Sequence, residues 1–255
     1  MKRKLLTDTE LRARWSRDRS EYYYVDDDVI LTPAAMDFIR EHSITICRGD
    51  QKPSKGMPMT QIPTRNGKPV YLDAETGREL ESKGECMTHL RGNLLVPKVH
   101  PQIELRGQLD SLMARIMEVQ LVAQEQEQQQ IASDLDELLC FARMILASEV
   151  KDIPLDTITM LNMDSEQIRY NSQHVKKVFG IDHPLPCYQM GQLCVALNSL
   201  RTQVREVELC AARAFYRGGS FTRPDIIEGL NRMSSCVYII LCRKLSGYYD
   251  RGNRL

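Results

Sequence analysis

The chain has 255 residues, room for one large domain or for one domain with a small appendage. Its apolar share of 42 % is that of a globular protein, and Lys plus Arg match Asp plus Glu at 34 each. That zero balance gives no support to bulk attraction for nucleic acid or a membrane surface and leaves room only for a local basic pocket.

The first residues, MKRKLLTDTELRARW, are basic but lack the apolar core of a secretory signal. No run approaches the roughly 18 apolar residues of a membrane span. TDTE (7–10) reads as a capping box opening a short helix, EYYYV (21–25) as a strand, and LTPAAMDFIREH as a helix with Thr32 at the N-cap and Pro33 in first position. SITIC (43–47) is a second strand. From Gly49 to Pro69 three Gly and four Pro in 21 residues predict a loop or linker. GKPVYLDAETGREL follows as a hairpin turning near Glu75–Gly77.

Beyond about residue 100 the period becomes helical. PQIELRGQLDSLMARIMEVQLVAQEQ repeats apolar residues on one face, and QEQEQQQ reads as a solvated helix end or loop. SDLDELLCFARMILASEV is a second helix, capped at Ser133. Weaker, shorter helical signals fill 155–180. Two long helices then run from Tyr188 to Tyr216 and from Arg223 to Leu245, the latter with Pro224 near its start. The expected fold is mainly α: an antiparallel bundle of about five helices (86–255) behind a small α+β N-terminal region with its Pro/Gly-rich linker (1–85).

Eight cysteines are scattered with no CxxC spacing, and the five histidines form no HxxxH or HExxH set. We therefore expect no disulfide framework, a reducing cytoplasm and no protein-ligated Fe or Zn. A Ser/His/Asp hydrolase is unsupported because GxSxG is absent.

The polar constellations sit within the helices. In SLRTQVREVE (199–208), Leu197, Leu200, Val204 and Val207 make the apolar stripe. At 100° per residue, Asn198, Arg201, Arg205 and Glu208 fall on its shoulder, at a groove or subunit contact. Asp110 shares helical spacing with Ile103, Met113 and Met117, so a carboxylate on an apolar face requires a cation. Arg201 or Arg205 could answer it across the bundle. On the last helix Asn231, Ser234, Ser235 and Tyr238 collect on a polar edge with Arg232 beside them. Upstream, Lys83, Arg91 and Lys98, with the backbone near Gly84 and Gly92, could cradle an anion.

In this order the motifs resemble those of the cobalamin adenosyltransferases of the PduO/EutT kind. GECMTHL and RGNLLVPKVHPQIELRGQLDSL are similar to TGDxGxTxL and GxxxVPKxxPxxExxGxxDEL, with Asp110 on the acidic position. LRTQVREVEL and LNRMSS resemble ARTVCRRAER and LNRLSD. Glu206 and Ser235 replace the second Arg and the final Asp, as in the EutT branch, and LTPAAMDFI points the same way. The likeness covers roughly 5–245 and is strongest at 88–112 and 193–242. Two departures stand out. Cys86 occupies a loop glycine, and DAETGRELESKGEC replaces the CCxxC metal motif of many EutT-type chains, implying a version without a metal cluster.

The resemblance implies transfer of the 5′-deoxyadenosyl group from ATP, with Mg²⁺, to cob(I)alamin, releasing triphosphate. By motif position Arg201 pairs with Asp110, across a subunit interface. Arg205, Glu208 and Asn231 contact ATP together with Thr88 and Lys98, so that Arg205, Arg201 and Asp110 form the catalytic set. The corrin pocket should be apolar, and the segment DHPLPCYQM (182–190), with Leu185 and Tyr188, is its expected wall. A homo-oligomer follows, the trimer favoured over a dimer. Ethanolamine ammonia-lyase or its reactivase is the implied partner, and the cytoplasm or a bacterial microcompartment the implied location. Two other readings remain open: a helical scaffold whose N-terminal region docks a partner, and an ATP-using transferase for another substrate.

Overall fold

The structure, a computed structural model, describes residues 5–9, 11–12, 22–25, 29–42, 45–48, 64–65, 68–155 and 157–250. The chain divides into two compact units, Met1–Pro58 and Met59–Leu255.

The first unit holds β1 (Leu5–Leu6), β2 (Tyr22–Val25), β3 (Ile30–Leu31), α1 (Pro33–Glu41) and β4 (Thr45–Arg48). β1 pairs with β3 and β2 with β4, both in parallel. Thr32 starts α1, as its hydroxyl accepts from Ala35 N–H at 3.3 Å. Leu6, Leu11, Val29, Ala35 and Phe38 form a small core. Leu11 N–H donates to Thr7 O at 3.1 Å, so a helical turn opens after Thr7, while Glu10 of the expected capping box lies outside the described residues.

The second unit opens with a short antiparallel pair, β5 (Thr64–Arg65) and β6 (Lys68–Pro69), inside the stretch expected to be loop. The rest of that stretch, 49–63 and 66–67, lies outside the described residues. β7 (Tyr71–Asp73), β8 (Glu79–Leu80), β9 (Met87–Arg91) and β10 (Leu94–Pro97) make a four-stranded sheet ordered β8-β7-β10-β9. The expected hairpin is β7–β8. Asp73 closes its turn by accepting from Glu75 N–H, Thr76 N–H and the Thr76 hydroxyl at 2.8–3.0 Å, and Gly77 supplies the left-handed φ of 70°.

Helices follow: α2 (Pro101–Glu125), α3 (Gln129–Lys151), α4 (Ser165–Gln173), α5 (Val175–Phe179), α6 (Gln192–Phe215) and α7 (Pro224–Leu245). Two small hairpins interrupt them, β11 (Thr159–Met160) with β12 (Met163–Asp164), and β13 (Tyr216–Arg217) with β14 (Ser220–Phe221). The four long helices pack as an antiparallel bundle, α3 on α2, α2 on α6 and α6 on α7, with α4 laid on α7. Leu105, Leu109, Leu112, Ile116, Leu135, Leu138, Ile145, Leu197, Leu200, Val204, Leu230 and Met233 are fully buried in its centre. Each such leucine contributes on the order of 2 kcal/mol of transfer free energy.

Two helix starts differ from expectation: α6 begins at Gln192 rather than Tyr188, because Gly191 takes φ 85° and leaves Tyr188–Met190 as a separate 3-10 turn. α3 begins at Gln129, four residues ahead of Ser133, because Ile131 and Ala132 are core residues and must be helical to reach it. QEQEQQQ is thereby split between two helix ends and a tight turn in which Glu127 takes φ 57°.

Ionic clamps fix the ends. Arg106 bonds Glu149, which is wholly buried, at 2.5 Å and donates to the backbone carbonyls of His89 and Leu90, tying β9 to α2 and α3. Arg223 bonds Asp225 at 2.7 Å, the Ser148 hydroxyl at 2.6 Å and Ile153 O at 2.9 Å, joining the end of α3 to the start of α7.

Candidate functional site

On α6 the apolar stripe is buried as the periodicity requires, and Asn198, Arg201 and Glu208 are half-buried on its shoulder with Arg205 exposed. Opposite them stands the polar edge of α7. Between the two lies a cavity of about 350 Å³. Arg201, Arg205 and Asn198 form one wall, Asn231, Ser234, Ser235 and Tyr238 the other, and His183, Pro184 and Pro186 the rim.

No carboxylate lines this cavity, and among the described residues Arg205 has no ion-pair partner. Arg201 lies over the Tyr238 ring, 5.0 Å from its centroid. Two guanidiniums without a local counter-charge make an anion site, and their planar forks suit phosphate. Asn231 is held rigidly at the floor. Its Nδ2 donates to Glu208 at 2.9 Å, and its Oδ1 accepts from Arg232 at 2.6 Å. Arg232 is itself held by Ser165 at 2.9 Å. Glu208 is absent from the cavity wall; it orients Asn231.

A second cavity of about 200 Å³ adjoins the first and shares Pro186 and Asn198 with it. Cys187, Tyr188, Met190, Cys194, Val195 and Leu241 complete its mainly apolar lining. It lies under the segment expected to wall an apolar ligand. Tyr188 lines it and is 82 % exposed, whereas Leu185, 84 % exposed, is outside the lining and points to solvent.

The remaining expected site residues lie elsewhere in the single chain. Thr88 is on β9 opposite Val96, and Lys98 follows β10 with its N–H on Cys86 O at 2.9 Å. No hydrogen bond or ion pair among the described residues joins either to Arg205, Glu208 or Asn231. Asp110 is exposed in the single chain and makes no bond within it to Arg201 or Arg205, the pairing expected of it being one between copies. The reason is that its row on α2 faces away from the bundle's own core. Met117 and Leu121 on that row are 46 % and 60 % exposed.

Sequence reading missed the Arg106–Glu149 clamp and the bond between His183 and Tyr238, 55 residues apart, at 2.7 Å. The one available signal for the latter was that both residues sit in segments already singled out. Burial raises the thiol pKa of Cys194, Cys210, Cys236 and Cys242, so these stay protonated and inert. No group of three or more His, Cys, Asp or Glu among the described residues is placed to hold a metal ion. No helix described is long and apolar enough to cross a membrane.

Residues 81–244 match the family model described as cobalamin adenosyltransferase. The chain is similar to the protein named corrinoid adenosyltransferase EutT of Salmonella typhimurium, at 26 % identity over 245 residues covering 92 % of this chain and 90 % of the relative. The proteins of the same name from two strains of Escherichia coli match to the same identity and coverage. No solved structure matches the chain.

Proposed function

The chain belongs to the cobalamin adenosyltransferase family, and from that premise we propose that the two adjoining cavities receive its two substrates, nucleotide in the polar one and corrinoid in the apolar one. The protein is an adenosyltransferase that moves the 5′-deoxyadenosyl group of ATP to cob(I)alamin. The observation that carries the assignment of sites is a pair of uncompensated arginines beside an apolar compartment with a common wall.

The reaction explains why such a pairing is useful. The electron pair of cob(I)alamin forms the new bond to C5′, the C5′–O bond breaks, and triphosphate leaves with both electrons of that bond. Its growing charge needs fixed cations in a site from which water is displaced, and Arg205 and Arg201 meet that need. Mg²⁺ enters as the nucleotide's counter-ion. Asn231, locked between Glu208 and Arg232, is a preorganised amide for nucleotide recognition. The apolar compartment keeps water from the reduced cobalt, and the cobalt supplies the hard chemistry while the protein supplies geometry and field.

Thr88 and Lys98 are assigned to the nucleotide of a neighbouring copy, and Asp110 to a bond with that copy's Arg201. The exposed Asp110 and the exposed apolar row of α2 support this reading of a homo-oligomer, a trimer in preference to a dimer. The product would serve ethanolamine ammonia-lyase or its reactivase, in the cytoplasm or a bacterial microcompartment.

The test is an anaerobic assay with ATP, Mg²⁺ and cob(I)alamin, following light-sensitive adenosylcobalamin by its spectrum. Removal of one transition-state cation costs about 100–1000-fold in kcat, so Arg205→Ala should lose activity by that factor while keeping its fold by circular dichroism. An unchanged rate in Arg205→Ala would remove the nucleotide from the polar cavity. A folded wild type with no activity would return the chain to the scaffold reading.

A further inference from the structure

Segment 181–187 has no regular secondary structure, yet its residues form the rim of the polar cavity and part of the wall of the apolar one. His183 Nδ1 lies 2.7 Å from the Tyr238 hydroxyl, and the two rings are stacked at 10° with centroids 6.1 Å apart. The other side of this contact is Arg201, whose guanidinium sits 5.0 Å from the same tyrosine ring. Tyr238 therefore touches two things at once: a cation of the polar cavity through its ring face and, through its hydroxyl, a segment that helps line the apolar cavity. Pro186, three residues beyond His183, faces both cavities.

We propose that Tyr238 is a positioning residue that sets Arg201 by its ring and, through His183, holds segment 181–187 in place as a side wall common to both cavities. The proposal rests on the assignment of nucleotide and corrinoid to these cavities. The chemistry of the side chain suits the task. The Tyr238 hydroxyl is neutral at pH 7, and burial with the Cys242 thiol beside it pushes its pKa up to about 12, so it pairs with the His183 ring nitrogen as a neutral hydroxyl. Phenylalanine would keep the ring and lose the tether; leucine would lose both. Neither side chain needs to meet a reacting atom.

The two contacts can be separated by variants of the full chain. Loss of one neutral hydrogen bond is worth about five-fold, so Tyr238→Phe should raise KM for the corrinoid by about that factor and leave KM for ATP within two-fold. His183→Ala should do the same, and the double variant should be no worse than either single one. Tyr238→Leu should raise both KM values, because the cation–π contact, also worth about five-fold, goes with it. Hydrogen exchange of 181–187 in the ligand-free protein should speed up in Tyr238→Phe and His183→Ala alike. Additive effects of the two single variants, or an equal rise in both KM values in Tyr238→Phe, would overturn the proposal. So would unchanged exchange of 181–187. If the wild type gives no adenosylcobalamin, the assignment of substrates fails instead, and the exchange experiment still decides whether the tether exists.

Discussion

Arg201 and Arg205 are one turn apart on α6 yet have different surroundings. Arg201 is half-buried over an aromatic ring, and Arg205 is exposed with no ion-pair partner among the described residues. Lysine at position 205 would keep the charge and lose the planar fork, so Arg205→Lys should retain about a tenth of kcat/KM, a difference of about 1.4 kcal/mol. Gly229 shows the same dependence on context. Helix propensity alone favours Ala over Gly by about 1 kcal/mol. A Cβ at Gly229, however, would stand 2.9 Å from Leu155 Cδ2 and 3.3 Å from the Phe141 ring. Overpacking costs about 1–3 kcal/mol, so Gly229→Ala should be a net loss of about 1 kcal/mol in urea unfolding. A glycine inside a helix was visible in the sequence; the side chains that crowd a methyl group there were not.

Among the elements, the clamps decide which ends stay together. Glu149→Ala would leave the half-buried Arg106 with only the His89 and Leu90 carbonyls, and losing such a charge-assisted pair costs roughly 2–3 kcal/mol. Denaturant midpoints should show it, with β9 loosening first. At the other end of α3, burial alone would raise Asp225, but the Arg223 side chain and the N–H of Leu155 outweigh it and hold the carboxyl below its ordinary value. A carboxyl depressed in the folded state stabilises fully above its unfolded pKa of about 3.9, and that contribution disappears as pH falls through the folded value. Asp225→Asn should therefore cost about 2–3 kcal/mol at pH 7 and progressively less below about pH 4, read as a flatter acid limb of Tm against pH.

The elements also show what periodicity can and cannot deliver. The end of α6 and both limits of α7 were readable because Pro224 and two regular apolar stripes mark them, whereas the start of α6 lies four residues later than expected. The shoulder position of Asn198, Arg201 and Glu208 follows from the angle per residue alone, and the structure agrees. The row holding Asp110 could not be placed, because an apolar row states only that something covers it. Ile103 and Met117 share that row, with Met113 at its edge packed against the core, and the bundle's centre uses Leu105, Leu109 and Leu112 instead. Side chains such as Arg106 and Glu149 meet 43 residues apart, a pairing that no local pattern encodes.

For the whole molecule, DAETGRELESKGEC in place of a CCxxC motif leads to the expectation of turnover without a transition metal. Protein stripped of transition metals with a chelator and resupplied with Mg²⁺ alone should turn over at its original rate. Recovery of activity only on adding Fe(II) or Zn(II) would contradict that expectation. Asp110→Ala should lower the mass seen by light scattering, since the bond assigned to it runs to another copy.

The wall that Pro186 and Asn198 contribute to both cavities has a consequence of its own. Two ligands that meet and press on the same two residues do not bind independently. By linkage, any factor by which nucleotide alters the affinity for corrinoid must be returned in full by corrinoid to nucleotide. Departure of triphosphate would then cancel the nucleotide's share of that coupling, so the chemical step itself would reset how tightly the finished corrinoid is held.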